Sequence, residues 1–270
     1  MKRSLRELGK YLYLYVIFIK NCLIAQMEYR TNFLISVFIE CAFLFSKILY
    51  IIVVFKAGVA INGLTPHAIL MFIGSYTMIT GIMDAIYFPN VSRIPQYIRT
   101  GDLDLYITKP VSLQFLVSFR YFDFGLAVPN VIAGLIMVVV AWSRLDVAAN
   151  LLNIAGYIFY TSIGIVLTYP LLFIPSLLSF WTVKTKSIYE IIWSIWDFNN
   201  MPMGIYGKWI QRFGTFIFPI FLVTNFAPMF VMDLLNPIYL IWAIAAPVLF
   251  IFILRVIWKV AIRSYTSASS

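Results

Sequence analysis

One histidine and two cysteines occur in these 270 residues, and charged residues make up only 11% of them. Each shortage excludes something. A zinc-type site brings several His, Cys or carboxylate ligands together, and His67 has no such cluster around it, so no metal ligands are expected. A hydrolytic triad needs its histidine beside the nucleophile, and a lone His67 at the outer end of an apolar run leaves no catalytic residue to name. Cys22 and Cys41 lie in or beside apolar helical sequence, which favours buried thiols over a disulfide framework. No GxxxxGK[ST] phosphate loop is present, so the chain itself is not expected to be an enzyme or to bind a cofactor, and any ATP hydrolysis belongs to a partner.

What is abundant is hydrocarbon, with 62% hydrophobic residues. One membrane span takes about 20 mostly apolar residues. Helices satisfy their own backbone hydrogen bonds in lipid, so the expected fold is an all-α polytopic membrane protein. Six runs are long enough: Phe33–Phe55, Ala68–Phe88, Phe122–Trp142, Leu151–Trp181, Phe213–Met232 and Ile238–Leu254. They leave room for a single transmembrane domain and no sizeable soluble one. A charge of +9 would raise nucleic acid as a partner in a soluble protein; here it reports topology, and membrane lipid is the expected surface.

Lys and Arg are counted in alternate connections, since they concentrate on the cytoplasmic side. Seventeen fall before the first run, in Asn90–Tyr121, in Thr182–Arg212 and after the last run; only Lys56 and Arg144 fall on the other side. Both termini are therefore expected in the cytoplasm of a multi-pass protein, in a prokaryotic inner or plasma membrane. The charged start followed by "YLYLYVIFI" has no small-residue cleavage site after it and is expected to be retained.

Two segments are amphipathic. In Leu5–Met27, within residues 1–32, Leu8, Leu12, Tyr15, Ile19 and Leu23 recur at helical spacing opposite Arg6, Lys10 and Lys20, as for a helix lying in the interface. In Ser187–Phe198, within 182–212, Ser187, Glu190, Ser194 and Asp197 share a stripe. That piece is either an interfacial helix or the broken start of the fifth span, with Asn199, Asn200 and Pro202 marking the break.

The longest polar passage, "IPQYIRTGDLDLYITKPVS", lies in the connection 89–121. Asn90 can cap a helix, Pro95 is tolerated in a first turn, Gly101 suits the position that ends one, and Pro110 can open the next. Val91–Thr100 is the expected short helix. Together with the residues after it, "YIRTGDLDLYITKPVSLQFLVSFRYFDFG" resembles the ABC-2 type permeases, the six-span membrane subunits of ATP-binding cassette exporters. "MEYRTNFL", "SFWTVKTKSIYEIIW" and the closing "RSYTSASS" extend the resemblance along nearly the whole chain. It implies a coupling helix that docks on a separate ATPase subunit dimer, which binds the ATP and Mg. It implies also a second permease chain, with a heterodimer favoured over a homodimer. Arg93, Tyr97, Arg99, Gly101, Asp102 and Asp104 are the matching ATPase-coupling positions.

Charges inside spans are costly and mark function by default. Glu40 and Lys47, about 10 Å apart along one helix face, either pair loosely or each find a partner elsewhere. Asp84 is expected near the inner end of its span, in contact with the wet interface or in a polar site. A secondary transporter or channel without an ATPase is the competing class, but it should show repeated halves or a pore motif, and neither is evident. Nothing in the spans selects a cargo.

Overall fold

The computed structural model describes residues 2–57, 63–182 and 186–265, and every regular element among them is helical. The N-terminal helix α1 (Lys2–Glu28) passes through the single residue Tyr29 into α2 (Arg30–Ala57). Helix α3 (Pro66–Ile86) starts on Thr65, whose side chain accepts from the Ala68 N–H at 3.2 Å. Four short helices follow: α4 (Phe88–Val91), α5 (Ile94–Thr100), α6 (Asp102–Ile107) and α7 (Leu113–Phe119). Helices α8 (Phe124–Arg144) and α9 (Leu151–Ser176) are capped by Asp123 and Asn150.

Helix α3 is the centre of the bundle. Nearly its whole length is buried, mostly against α8. The reason is backbone proximity: a Cβ on Gly134 of α8 would lie 2.5 Å from the Met78 nitrogen of α3. In lipid, where apolar side chains have no water to escape, such small-residue contacts let dispersion hold helices together.

The remaining chain departs from the expected layout. Helix α10 (Lys186–Trp196) continues through a 3-10 turn, Asp197–Asn200, into extended Met201 and Pro202. Beyond it lie α11 (Lys208–Arg212), a π-turn at Phe213–Ile217, α12 (Ile220–Thr224), α13 (Phe226–Val231) and α14 (Ile238–Ser264). The run Phe213–Met232 is therefore not a span; Pro219 and the π-turn cut it into short pieces. Among the described residues six helices are long and apolar enough to cross a membrane, and they include Arg6–Glu28 and not that run.

Contacts show where the crossing went. Trp193 of α10 meets Phe88 at 5.1 Å, beside the α4–α7 connection, whereas Tyr50 near the far end of α2 meets Met201 at 3.1 Å. Pro202, Met203 and Gln211 share a cleft with Thr65, Leu145 and Val147, at the end opposite α5. The chain from 186 to 203 thus runs the height of the bundle, ending at the break expected at Asn199, Asn200 and Pro202, and it does so in place of Phe213–Met232 rather than as the start of it. Eleven α-helical and four 3-10 residues cover roughly 25 Å, short of the ~30 Å hydrocarbon core. Non-helical backbone completes the distance, and protein satisfies it at Met203, whose N–H donates to the Asn225 side chain at 2.7 Å; beside it the Thr224 hydroxyl donates to the Asn199 side-chain oxygen at 2.9 Å. Such backbone is tolerated at membrane depth only when buried in this way.

Residues 208–231 then enter the bundle and leave by the same end. Trp242, one turn into α14, donates to the Thr215 carbonyl at 2.7 Å, and Tyr160 of α9 packs on Phe226 and Phe230. Thr182–Arg212 accordingly does not sit with Asn90–Tyr121 as a unit. Moving Lys208 and Arg212 to the other end leaves fifteen basic residues against four, and the charge bias stands.

Candidate functional site

The α4–α7 connection is built from a few strong local choices. Asn90 does not cap the helix after it. Its amide donates to the Ile86 and Tyr121 carbonyls at 2.7 and 2.8 Å, and its oxygen accepts the Tyr121 N–H at 2.8 Å. The side chain thereby mimics a peptide group and closes the base of the connection. Asp123 adds a second tie, its N–H donating to the Ala85 carbonyl at 3.0 Å.

Helix α5 begins later than expected from Val91, with Pro95 in its first turn. Gly101 ends it at φ 76°, the left-handed conformation. Glycine is needed there because a Cβ clashes with the following carbonyl. The acid-apolar run after it is helical, with Asp102 and Asp104 in the first turn of α6, where carboxylates meet the positive end of the helix. Pro110 opens no helix; Ser112 caps α7 instead, accepting from the Phe115 N–H at 3.5 Å.

The positions expected to meet an ATPase separate into two groups. Arg93, Arg99 and their neighbours Leu105 and Ile107 are exposed, and the Arg93 guanidinium lies 4.1 Å over the Tyr121 ring. Tyr97 is buried, edge-on to Tyr106 at 5.1 Å, so it positions α5 on α6 and offers no surface. Asp102 accepts from Thr100 at 2.7 Å and ties the two helices across Gly101. Asp104 lies beside Tyr265: burial, and then this carboxylate, raise the pKa of the Tyr265 phenol.

Helix α1 is fixed along the same connection. Lys10 donates to the Pro110 carbonyl at 3.0 Å, Tyr11 accepts the Ser112 N–H at 3.1 Å, and Gln26 bonds both Phe122 and Phe124. Tyr11, Tyr15 and Phe18 meet Phe115 and Phe119. The polar residues Lys10 and Gln26 thus help hold the helix down, while Leu12, Val16 and Met27 are exposed. The two ends of the described chain, α1 and Tyr265, lie at the end of the bundle that carries α5.

Within the spans, Glu40 and Lys47 each find a partner on another helix. Asn130 of α8 donates to the Glu40 carboxylate. Lys47 lies 3.5 Å from the Thr77 hydroxyl and 5.2 Å from the Tyr76 ring centre on α3. Asp84 is buried rather than wet, with Glu40, Lys47 and Asp123 as its charged neighbours. Glu190, Ser194, Asp197 and Asn200 of the fifth crossing form an exposed stripe, whereas Trp196 beside them is buried; the Ser187 side chain lies outside the described residues. Neither thiol is buried as expected: Cys41 is exposed and Cys22 half-buried. The described residues contain no group of His, Cys, Asp and Glu that could hold a metal ion.

Sequence reasoning missed Asn130, Asn225 and the clamp role of Asn90. The first two stand out as amides in apolar runs, a usable signal; the Asn90 partner is a backbone group and leaves no mark in side-chain patterning. A family model described as "ABC-2 family transporter protein" matches residues 41–269. No curated protein and no solved structure shows a match.

Proposed function

The chain belongs to the ABC-2 transporter family and is a multi-pass membrane permease component, and from that premise we propose that it is one half of an exporter driven by a separate ATPase dimer. It pairs with a second permease, a sister chain in preference to a copy of itself, and the pathway runs between the two. The end bearing α5, α1 and Tyr265 faces the cytoplasm, and α5–α6 is the surface that receives the ATPase, which supplies the nucleotide chemistry.

One observation carries the pathway reading. The fifth crossing turns Ser194, Asp197 and Asn200 outward along one stripe of an element that traverses the bundle. A carboxylate set against lipid at the bilayer centre costs about 3 kcal/mol or more on insertion scales, so such residues face a water-filled space or another chain. A second permease placed on this face gives both. The fifteen-to-four bias of basic residues supports the cytoplasmic assignment.

The test places a single cysteine at Ser194 in a cysteine-free permease purified with whatever ATPase accompanies it. A short bifunctional thiol reagent should link two permease chains, or this chain to a sister carrying the matching cysteine. An active complex with a lone permease, or with no ATPase subunit, refutes the assignment.

A further inference from the structure

A cleft of about 510 Å³ runs between α1 and the connection 106–121. Its apolar walls include Phe18, Ala25 and Leu116, and its charges are Lys109 and Arg120, with no carboxylate in the lining. The Arg120 guanidinium sits 5.1 Å from the centre of the Tyr106 ring and 5.6 Å from that of Tyr121. A guanidinium held over aromatic rings by its charge keeps its planar N–H fork available, the geometry that takes a phosphate oxygen pair. The wall formed by α1 is held in place on both sides of the cleft, by Lys10 on the Pro110 carbonyl at 3.0 Å and by Cys22 on the Arg120 carbonyl at 3.6 Å.

We propose that this cleft holds one anionic phospholipid, its phosphodiester on Lys109 and Arg120 and the start of an acyl chain along Phe18 and Leu116. Charge decides for the lipid's sign, since both charged side chains are cations. The apolar walls decide for a lipid over a soluble phosphate, which has no use for them. The smaller neighbouring cleft on the far side of Tyr121 contains Asp123 as well as Arg93 and is of mixed sign, so it is not part of the site. The assignment rests on the reading that α1 lies along the cytoplasmic leaflet, whose anionic lipids attract basic residues at its surface.

The test uses the purified full-length permease, delipidated in detergent and titrated separately with phosphatidylglycerol, phosphatidylcholine and glycerol 3-phosphate, with bound molecules counted by native mass spectrometry. Each basic residue should contribute about a fivefold preference, so that phosphatidylglycerol is retained over phosphatidylcholine by about 25-fold. Lys109→Gln, at an exposed position, should cut the preference about fivefold, and Lys109→Gln with Arg120→Gln should remove it. Arg120→Lys, which keeps the charge, should preserve most of it; should the double variant not fold, Lys109→Gln and Arg120→Lys decide between them. Equal retention of the two lipids, or a preference unchanged by these losses of charge, overturns the site. Displacement of the lipid by glycerol 3-phosphate at matching concentration makes it a pocket for free anions and overturns the lipid assignment. Lipid counting requires neither ATPase nor transport, so this result stands apart from the fate of the exporter reading.

Discussion

The Asn90 side chain and the Tyr121 main chain exchange two hydrogen bonds, each of 2.8 Å, across thirty-one residues of sequence. Asn90 is 1% exposed, so its removal cannot be repaired by water. Asn90→Ala leaves the Ile86 and Tyr121 groups without their partner at about 1–3 kcal/mol for each unsatisfied group. The expected outcome is a marked fall in the thermal unfolding midpoint of the detergent-solubilised permease, with Asn200→Ala, at an exposed position, as the comparison. Asn90→Asp should fall too, because a carboxylate cannot donate to the two carbonyls.

Gly101 separates a structural from a coupling role for α5–α6. At φ 76° a Cβ costs on the order of 1 kcal/mol and a β-branched residue more. Gly101→Val should leave expression and unfolding midpoint near normal while reducing ATPase copurification or export, and Gly101→Asn should be milder than Gly101→Ala. Arg99→Glu probes charge at the same surface. Full export from both variants removes the connection from consideration as the coupling element.

Side labelling distinguishes the structure from the simple hydropathy layout. Single cysteines at Ser92, Asn150 and Lys208 should report Asn150 and Lys208 from one side of the membrane and Ser92 from the other. Hydropathy alone groups Lys208 with Ser92. Labelling of Lys208→Cys together with Ser92→Cys would restore Phe213–Met232 as a span.

Gly134 tests the α3–α8 contact. Because its absent Cβ would press on the Met78 backbone at 2.5 Å, Gly134→Ala should separate the helices. Overpacking of this kind costs about 1–3 kcal/mol, and folded yield should drop further for Gly134→Val. Gly204→Ala, with open space around its added Cβ, should be neutral in the same assay.

The layout was legible where long apolar runs carry the information, as for α2, α3, α8, α9 and α14. It was misread at Phe213–Met232, because hydropathy measures how greasy a segment is and not whether it is one helix. Pro219, Pro228 and Gly214 were the local signs, outweighed by the aliphatic and aromatic residues around them, whose greasiness serves burial inside protein instead of contact with lipid. The true crossing hid in "SIYEIIWSIWDFNN" because its polar stripe lowers the mean, although the break at Asn199–Pro202 was visible. In the α4–α7 connection, Gly101 was readable since glycine is the residue that most readily takes a left-handed helix end. The roles of Asn90 and Asn225 were not, because each depends on a backbone group brought near by the fold; Ser112, whose partner is only three residues on, was a local cap signal overshadowed by Pro110.

The clamp at Asn90 also sets a ratio of lengths. On one side of it lies α5, seven residues or about 10 Å; on the other lies α3, twenty-one residues or about 31 Å. If the two move as one stiff body about that point, an ångström of displacement at Thr100 becomes roughly three at Thr65. Thr65 borders the cleft shared with Met203 and Gln211, so a small movement at one face of the membrane arrives enlarged at the mouth of the other.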